Sequence, residues 1–290
     1  MPGTQSKFDI KDQIVVAGSS HTRGCDPDDV VYRGQYVRYH TTTHQDCLIL
    51  PQPSGFPIPR HNIIRESKEY MTNKFGDFKT ISFPGLNRDK IRLNKRVPGG
   101  EFKNYPIKRA FQSFESPSIC LLVLGSNDWE HLTSMPVKSA ALDLLQQIKD
   151  LFNNTCFKLI IFTTIFPRIE MYDDNNKINQ KVIKLNEYLL TMGGDRDCQI
   201  YIHNKEGKKI NLRYRVVDLK GILPYEEMYK RKFYCQGDTQ HPPHRPDKVH
   251  IKGVYFEKVL EQMFLTLENT LKQQPRVDKR NRKRKACALE

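Results

Sequence analysis

The sequence predicts an α/β fold, a three-layer α/β/α sandwich built on a central parallel five-stranded sheet. Three observations predict it. Short apolar, β-branched runs recur along the chain, and three of them end in Gly. Segments with apolar residues at three-four spacing lie between those runs. The chain is 290 residues long, enough for one large α/β domain. Strands that alternate with helices imply a parallel sheet covered on both faces.

The first strand is expected at Gln13–Gly18 (QIVVAG), the second at Lys79–Gly85 (KTISFPG) and the third at Cys120–Gly125 (CLLVLG). Phe157–Phe166 (FKLIIFTTIF) is the fourth, and Cys198–His203 (CQIYIH), a weaker pattern, the fifth. Helices are expected at Asn62–Phe75 behind an Asn cap, at Tyr105–Phe114, and at Val137–Phe152, where Ala141, Leu144, Leu145, Ile148 and Leu151 share a face. Asn176–Met192 repeats that spacing with Ile178, Val182, Leu185 and Leu189 and stops at Gly193-Gly194. Ile251–Leu271 is the last helix. Cys25–Arg60 and Lys205–Arg245 are irregular and read as insertions over the sheet edge, the second with a possible strand at Ile210–Val217. Residues 1–12 read as a flexible N-terminus, 13–272 as the domain and 273–290 as a disordered basic tail.

Hydrophobic residues make up 38% and charged residues 28%, the balance of a soluble globular protein. No apolar run approaches the roughly 20 residues needed to span a bilayer. Residues 1–11 carry no apolar signal segment, and the seven cysteines show no paired spacing, so the expected location is cytoplasmic or nuclear. The net charge is +14. The segment from Lys272 onward holds eight Lys/Arg and two acidic residues, a net +6, which leaves +8 on residues 1–271. That excess favours polyanionic partners, RNA or single-stranded DNA, although a solubilising surface would look the same. Lys279, Arg280, Arg282, Lys283, Arg284 and Lys285 form a run that resembles a nuclear-import signal and suits phosphate backbones. Tyr32, Tyr36 and Tyr39 interleave with Arg33 and Arg38, as a stacking surface or a half-buried amphipathic segment would. His40, His44 and Cys47, with Cys25 upstream, are zinc-ligand types, but Cys25 lacks a close cysteine partner, and no metal or organic cofactor is expected.

Functional groups of an open parallel sheet gather at the carboxyl ends of its strands. There the sequence places Ser19-Ser20-His21 after the first run, Leu86-Asn87-Arg88 after the second and Ser126-Asn127-Asp128 after the third, with Asp247-Lys248-Val249-His250 just before the last helix. A hydroxyl, an amide, a carboxylate and an imidazole are the groups that ester cleavage requires. Each also has a structural use: Ser20 as a helix cap, Asn127 in a turn, Asp247 as an N-cap and His250 on a first turn.

The blocks Gly18-Ser19-Ser20, Gly85, Gly125-Ser126-Asn127-Asp128 and Asp247-Lys248-Val249-His250, in this order, resemble those of the SGNH (GDSL-like) hydrolases, over roughly residues 13–271. Ser19 stands where that family has Asp, and the block around Gly85 lacks the fuller glycine-rich pattern. The resemblance implies Ser20 as nucleophile, His250 as base and Asp247 as its orienting carboxylate. It implies an oxyanion hole from the Ser20 and Gly85 N–H groups and the Asn127 amide, and for Asp128 a structural role. The implied activity is an esterase or deacetylase acting on an unidentified ester substrate by a Ser-His-Asp mechanism. The alternative is a nucleic-acid-binding module on the same fold with weak or lost catalysis, of the kind found in some mobile-element and germ-plasm proteins.

Overall fold

The computed structural model describes residues 13–19, 36–37, 50–51, 78–82, 86–92, 94–96, 102–104, 108, 111–112, 114, 118–194, 198–234, 248–249, 251 and 253–273. The strands are β1 Gln13–Gly18, β2 Tyr36–Val37, β3 Leu50–Pro51, β4 Phe78–Ser82, β5 Asn94–Arg96, β6 Phe102–Asn104, β7 Ser118–Val123, β8 Phe157–Thr163, β9 Cys198–His203 and β10 Lys209–Val217. The helices are α1 Arg88–Arg92, α2 Trp129–Ser134, α3 Val137–Phe152, α4 Gln180–Gly193 and α5 Gly253–Lys272.

Six strands form one sheet in the order β4-β1-β7-β8-β10-β9, and two antiparallel pairs, β2-β3 and β5-β6, stand outside it. The first five members are parallel. Counted along the chain, their order is 2-1-3-4-5, the flavodoxin-like doubly wound arrangement. Central β7 is buried at all six positions, because each face of the sheet carries helices. Period-two alternation sends Val15, Ala17, Cys120, Leu122, Ile160 and Phe162 to the face packed by α3 and α4. Ile14, Val16, Ile119, Leu121, Leu159 and Ile161 face the opposite way, onto α5 through Phe256, Val259, Leu260, Met263 and Leu267. Phe111, Phe152 and Phe157 close one end of the first core with ring centroids 5.0–5.4 Å apart, in edge-on or tilted arrangements that favour aromatic pairs.

The expected helix over 137–152 is present with the expected bounds, and those expected over 176–192 and 251–271 are present with later starts. Asn179 Oδ1 accepts from the Lys181 N–H at 2.9 Å, so α4 starts at that cap rather than at Asn176, which has φ 60°. Lys108, Phe111 and Gln112 are helical within the expected 105–114 segment, whereas the helix at 62–75 and the segment 25–35 lie outside the described residues.

The fifth parallel strand needs correcting. Cys198–His203 is not that strand but an antiparallel edge strand, and Lys209–Val217 takes the parallel place beside β8. In β9, Gln199, Tyr201 and His203 are exposed between half-buried or buried neighbours, the pattern of an edge strand covered on one face. In β10 the last four residues are all buried, as a strand flanked on both sides requires. A tight turn at Asn204–Lys208, with Gly207 at φ +75°, joins them. The segment 205–245 is therefore no simple insertion: Leu219, Leu223, Met228, Phe233 and Tyr234 extend the core under α5.

Candidate functional site

The carboxyl end of the sheet brings three of the sequence blocks together through their described residues. β1 ends at Gly18 with φ +155°, and a Cβ there would overlap the Val123 carbonyl oxygen. Only glycine lets the chain turn this close to β7. The next residue, Ser19, is buried, and its N–H donates to the Val123 carbonyl at 3.2 Å. β7 leads into Gly125 at φ +96°, where a side chain is strained, and then into a 3-10 turn at Ser126–Asp128.

That turn is clamped to the loop after β4 at two points. Asn127 Nδ2 donates to the Leu86 carbonyl at 2.9 Å. The Arg88 N–H donates to both carboxylate oxygens of Asp128, at 3.0 and 2.9 Å. The clamp fixes which way the Asn127 carboxamide faces: its nitrogen meets a carbonyl acceptor, and its oxygen faces the Arg168 guanidinium at 3.5 Å. Arg168 Nη1 also donates to the Ser126 carbonyl at 3.1 Å.

Arg168 lies in the loop after β8, and buried polar contacts stiffen its approach. Asn186 Oδ1 accepts from the Ile165 N–H at 2.9 Å, and Tyr225 Oη donates to the Ile165 carbonyl at 3.1 Å. Tyr172 Oη donates to the Tyr225 carbonyl at 2.7 Å. Burial pushes the Tyr172 and Tyr225 phenols well above the ordinary range, so both remain donors. Next to Arg168, the Ile169 N–H donates to the Lys248 carbonyl at 3.0 Å. Lys248 belongs to the fourth block, so the chain before α5 is tied to the loop that carries Arg168.

A second polar cluster lies behind the turn. Arg88 Nη1 is 3.0 Å from His131 Nε2. A guanidinium can only donate, so that ring nitrogen is the acceptor. Asp143 faces both groups, 3.8 Å from Arg88 Nε and 3.7 Å from His131 Nε2. Burial is the main influence on Asp128 and raises its carboxyl to about 6, against the opposing pull of the hydrogen bond from the Arg88 N–H.

This shift makes a prediction about stability. A carboxyl raised in the folded state favours its protonated form there, so its contribution is complete below the ordinary carboxylate range. It is lost as pH rises through about 6. Between about pH 4 and pH 7 the wild type should lose about 2–3 kcal/mol that Asp128→Asn does not lose, since the amide oxygen still accepts from Arg88. Urea unfolding of both proteins at the two pH values measures the difference. A wild type that gains stability relative to the variant over that interval would contradict the sign.

Of the sequence-predicted site residues, Asn127 is described and sits at the centre of the clamp. Ser20, Gly85, Asp247 and His250 lie outside the described residues, as do the candidate zinc ligands and the run 279–285. Among the described residues no cluster of His, Cys, Asp and Glu could hold a metal ion, and no helix is long and apolar enough to cross a membrane. Arg168 and the Leu86 carbonyl were not singled out from sequence. The available signal for Arg168 was its position, a cation in the loop after the fourth parallel strand.

No protein-family model matches the chain, and no curated protein matches it. Among solved structures, the protein YxiM of Bacillus subtilis is similar at 13% identity over 92% of this chain, with a TM-score of 0.39. The chain spans 57% of that protein's length. A carbohydrate esterase family 3 from Talaromyces cellulolyticus is similar at 12% identity, over 91% of this chain and 100% of its own, with a TM-score of 0.42.

Proposed function

We propose that the protein is a serine esterase of the SGNH type, cleaving an ester through Ser20, His250 and Asp247. One observation carries the reading. The Asn127 carboxamide, at the carboxyl end of the central strand, is held between the Leu86 carbonyl and Arg168 with one N–H committed to Leu86. Among the described residues the other N–H has no acceptor, and an amide fixed in this way can donate to an oxyanion without reorganising.

In the proposed reaction, Ser20 Oγ attacks the acyl carbon while His250 takes its proton. Asp247 holds the imidazole and stabilises its cation. The carbonyl oxygen becomes an oxyanion that accepts from the Ser20 N–H, the Gly85 N–H and Asn127 Nδ2. The alcohol leaves with the proton from His250, and a water, deprotonated by the same imidazole, releases the acid. Gly85 precedes the Leu86 carbonyl that Asn127 holds, and Ser20 follows the Ser19 N–H that β7 holds. These neighbours support the assignment of both backbone donors.

The direct test is labelling with a fluorophosphonate, which reacts with an activated serine. Wild type should be labelled, and His250→Ala should lose the label because its serine keeps its proton. Equal labelling of both proteins, or of neither, would remove the reading.

A further inference from the structure

We propose that the β9–β10 hairpin is a binding surface for single-stranded nucleic acid, at the end of the sheet opposite the candidate ester site. Alternation along the two strands puts Gln199, Tyr201 and His203 on one face with Lys209, Asn211 and Arg213. The register pairs His203 with Lys209, Tyr201 with Asn211 and Gln199 with Arg213. The other face, with Ile200, Ile202, Ile210 and Leu212, packs on the core of α3 and α4. Tyr201 is thus 57% exposed although it stands on an ordered sheet. An open aromatic ring costs burial that a purely structural face would recover, and among the described residues the one cation placed over this ring is Lys209.

Its surroundings fit a base with its phosphate. Lys209 Nζ lies 4.5 Å from the centroid of the Tyr201 ring. A base stacked on that ring brings its phosphate within reach of the ammonium, and Asn211 offers an amide beside it. Across residues 198–213 the cations are Lys205, Lys208, Lys209 and Arg213, and the one carboxylate is Glu206. Glu206 accepts from Asn204 Nδ2 at 2.8 Å within the turn.

The platform is held firmly. The His203 N–H donates to Asn153 Oδ1 at 2.9 Å, and the His203 carbonyl accepts from the Asn154 N–H at 2.7 Å. The loop between α3 and β8 therefore braces the hairpin near its turn. On the same face as Arg213, Arg215 donates to Thr270 Oγ1 at 3.3 Å and to Gln273 Oε1 at 3.1 Å, at the end of α5. The sequence that follows Gln273 carries the cationic run 279–285.

The test uses the full chain and a fluorescent oligo(dT) of about 16 nucleotides, followed by anisotropy over a salt series. Wild type should bind. Tyr201→Ala should weaken binding at least about fivefold, the low end for one lost stacking contact, and Tyr201→Phe should restore it. Lys209→Gln should reduce the slope of log affinity against log salt by about 0.7. Unlabelled poly-glutamate, a polyanion without bases, should compete poorly. Ester hydrolysis by Tyr201→Ala should equal that of wild type, because Tyr201 pairs with Asn211, about 20 Å along β10 from its carboxyl end. A Tyr201→Ala protein that binds oligo(dT) as tightly as wild type overturns the proposal, as does equal competition by poly-glutamate or the absence of binding at low salt. None of these results bears on the esterase reading, which fluorophosphonate labelling tests separately.

Discussion

Replacing Ser20 by Ala should reduce the turnover of a short p-nitrophenyl ester by about four orders of magnitude or more. Removing the nucleophile removes the acyl-enzyme route altogether, and only oxyanion stabilisation and binding remain to help water attack. His250→Ala should cost about as much, and the double variant scarcely more than either alone, because nucleophile and base act as one unit. Neither change should lower the unfolding midpoint by more than a small surface effect, since β1 and β7 make their contacts without these side chains. Steady-state rates of the purified proteins, with circular dichroism as a check on folding, decide the matter. A Ser20→Ala protein that retains even a tenth of the wild-type rate would place the activity elsewhere.

The first three blocks could be located in the sequence because each follows an apolar run whose pattern has few alternatives, whereas Asp247–His250 follows no such run. Ile14–Gly18 and the run at 120–125 are buried on both faces, so hydrophobicity alone marks them, and their glycines mark where the backbone must turn. The same signal failed at the far edge. Cys198–His203 alternates because one face is open, and Lys209–Val217 begins just as polar before it ends in a buried RVV, so the direction of the two strands was not written in their composition. Pairing across the short Asn204–Lys208 turn decides it, and that is a contact rather than a pattern. Arg168 was missed for a similar reason. Its role depends on the Ser126 carbonyl and Asn127 Oδ1, both about 40 positions away in sequence, and no local pattern records such a partner. The Asp128 clamp on the Arg88 N–H is the intermediate case: the block Gly125-Ser126-Asn127-Asp128 announces a structured turn but not what it holds.

Asn127→Ala should lower kcat by about 100-fold to 1000-fold with little change in KM, the scale of one lost oxyanion donor. The oxygen it serves carries full charge only as the carbonyl becomes tetrahedral, so the loss belongs to the transition state and not to substrate binding. The variant should remain folded. The side chain is half-buried, and the Arg88–Asp128 contact still ties the 3-10 turn to the loop after β4. Arg168→Ala makes the comparison informative. Arg168 is a positioning residue: its guanidinium faces Asn127 Oδ1 and bonds the Ser126 carbonyl, so its loss frees the carboxamide to rotate without removing it. Its penalty should be smaller than that of Asn127→Ala, should again fall on kcat, and should nearly vanish when Asn127 is already Ala. A full, additive Arg168 penalty in the Asn127→Ala background would show that Arg168 acts independently of the amide. An Asn127→Ala enzyme with a raised KM and an unchanged kcat would show that the amide binds the ground state and is no oxyanion donor.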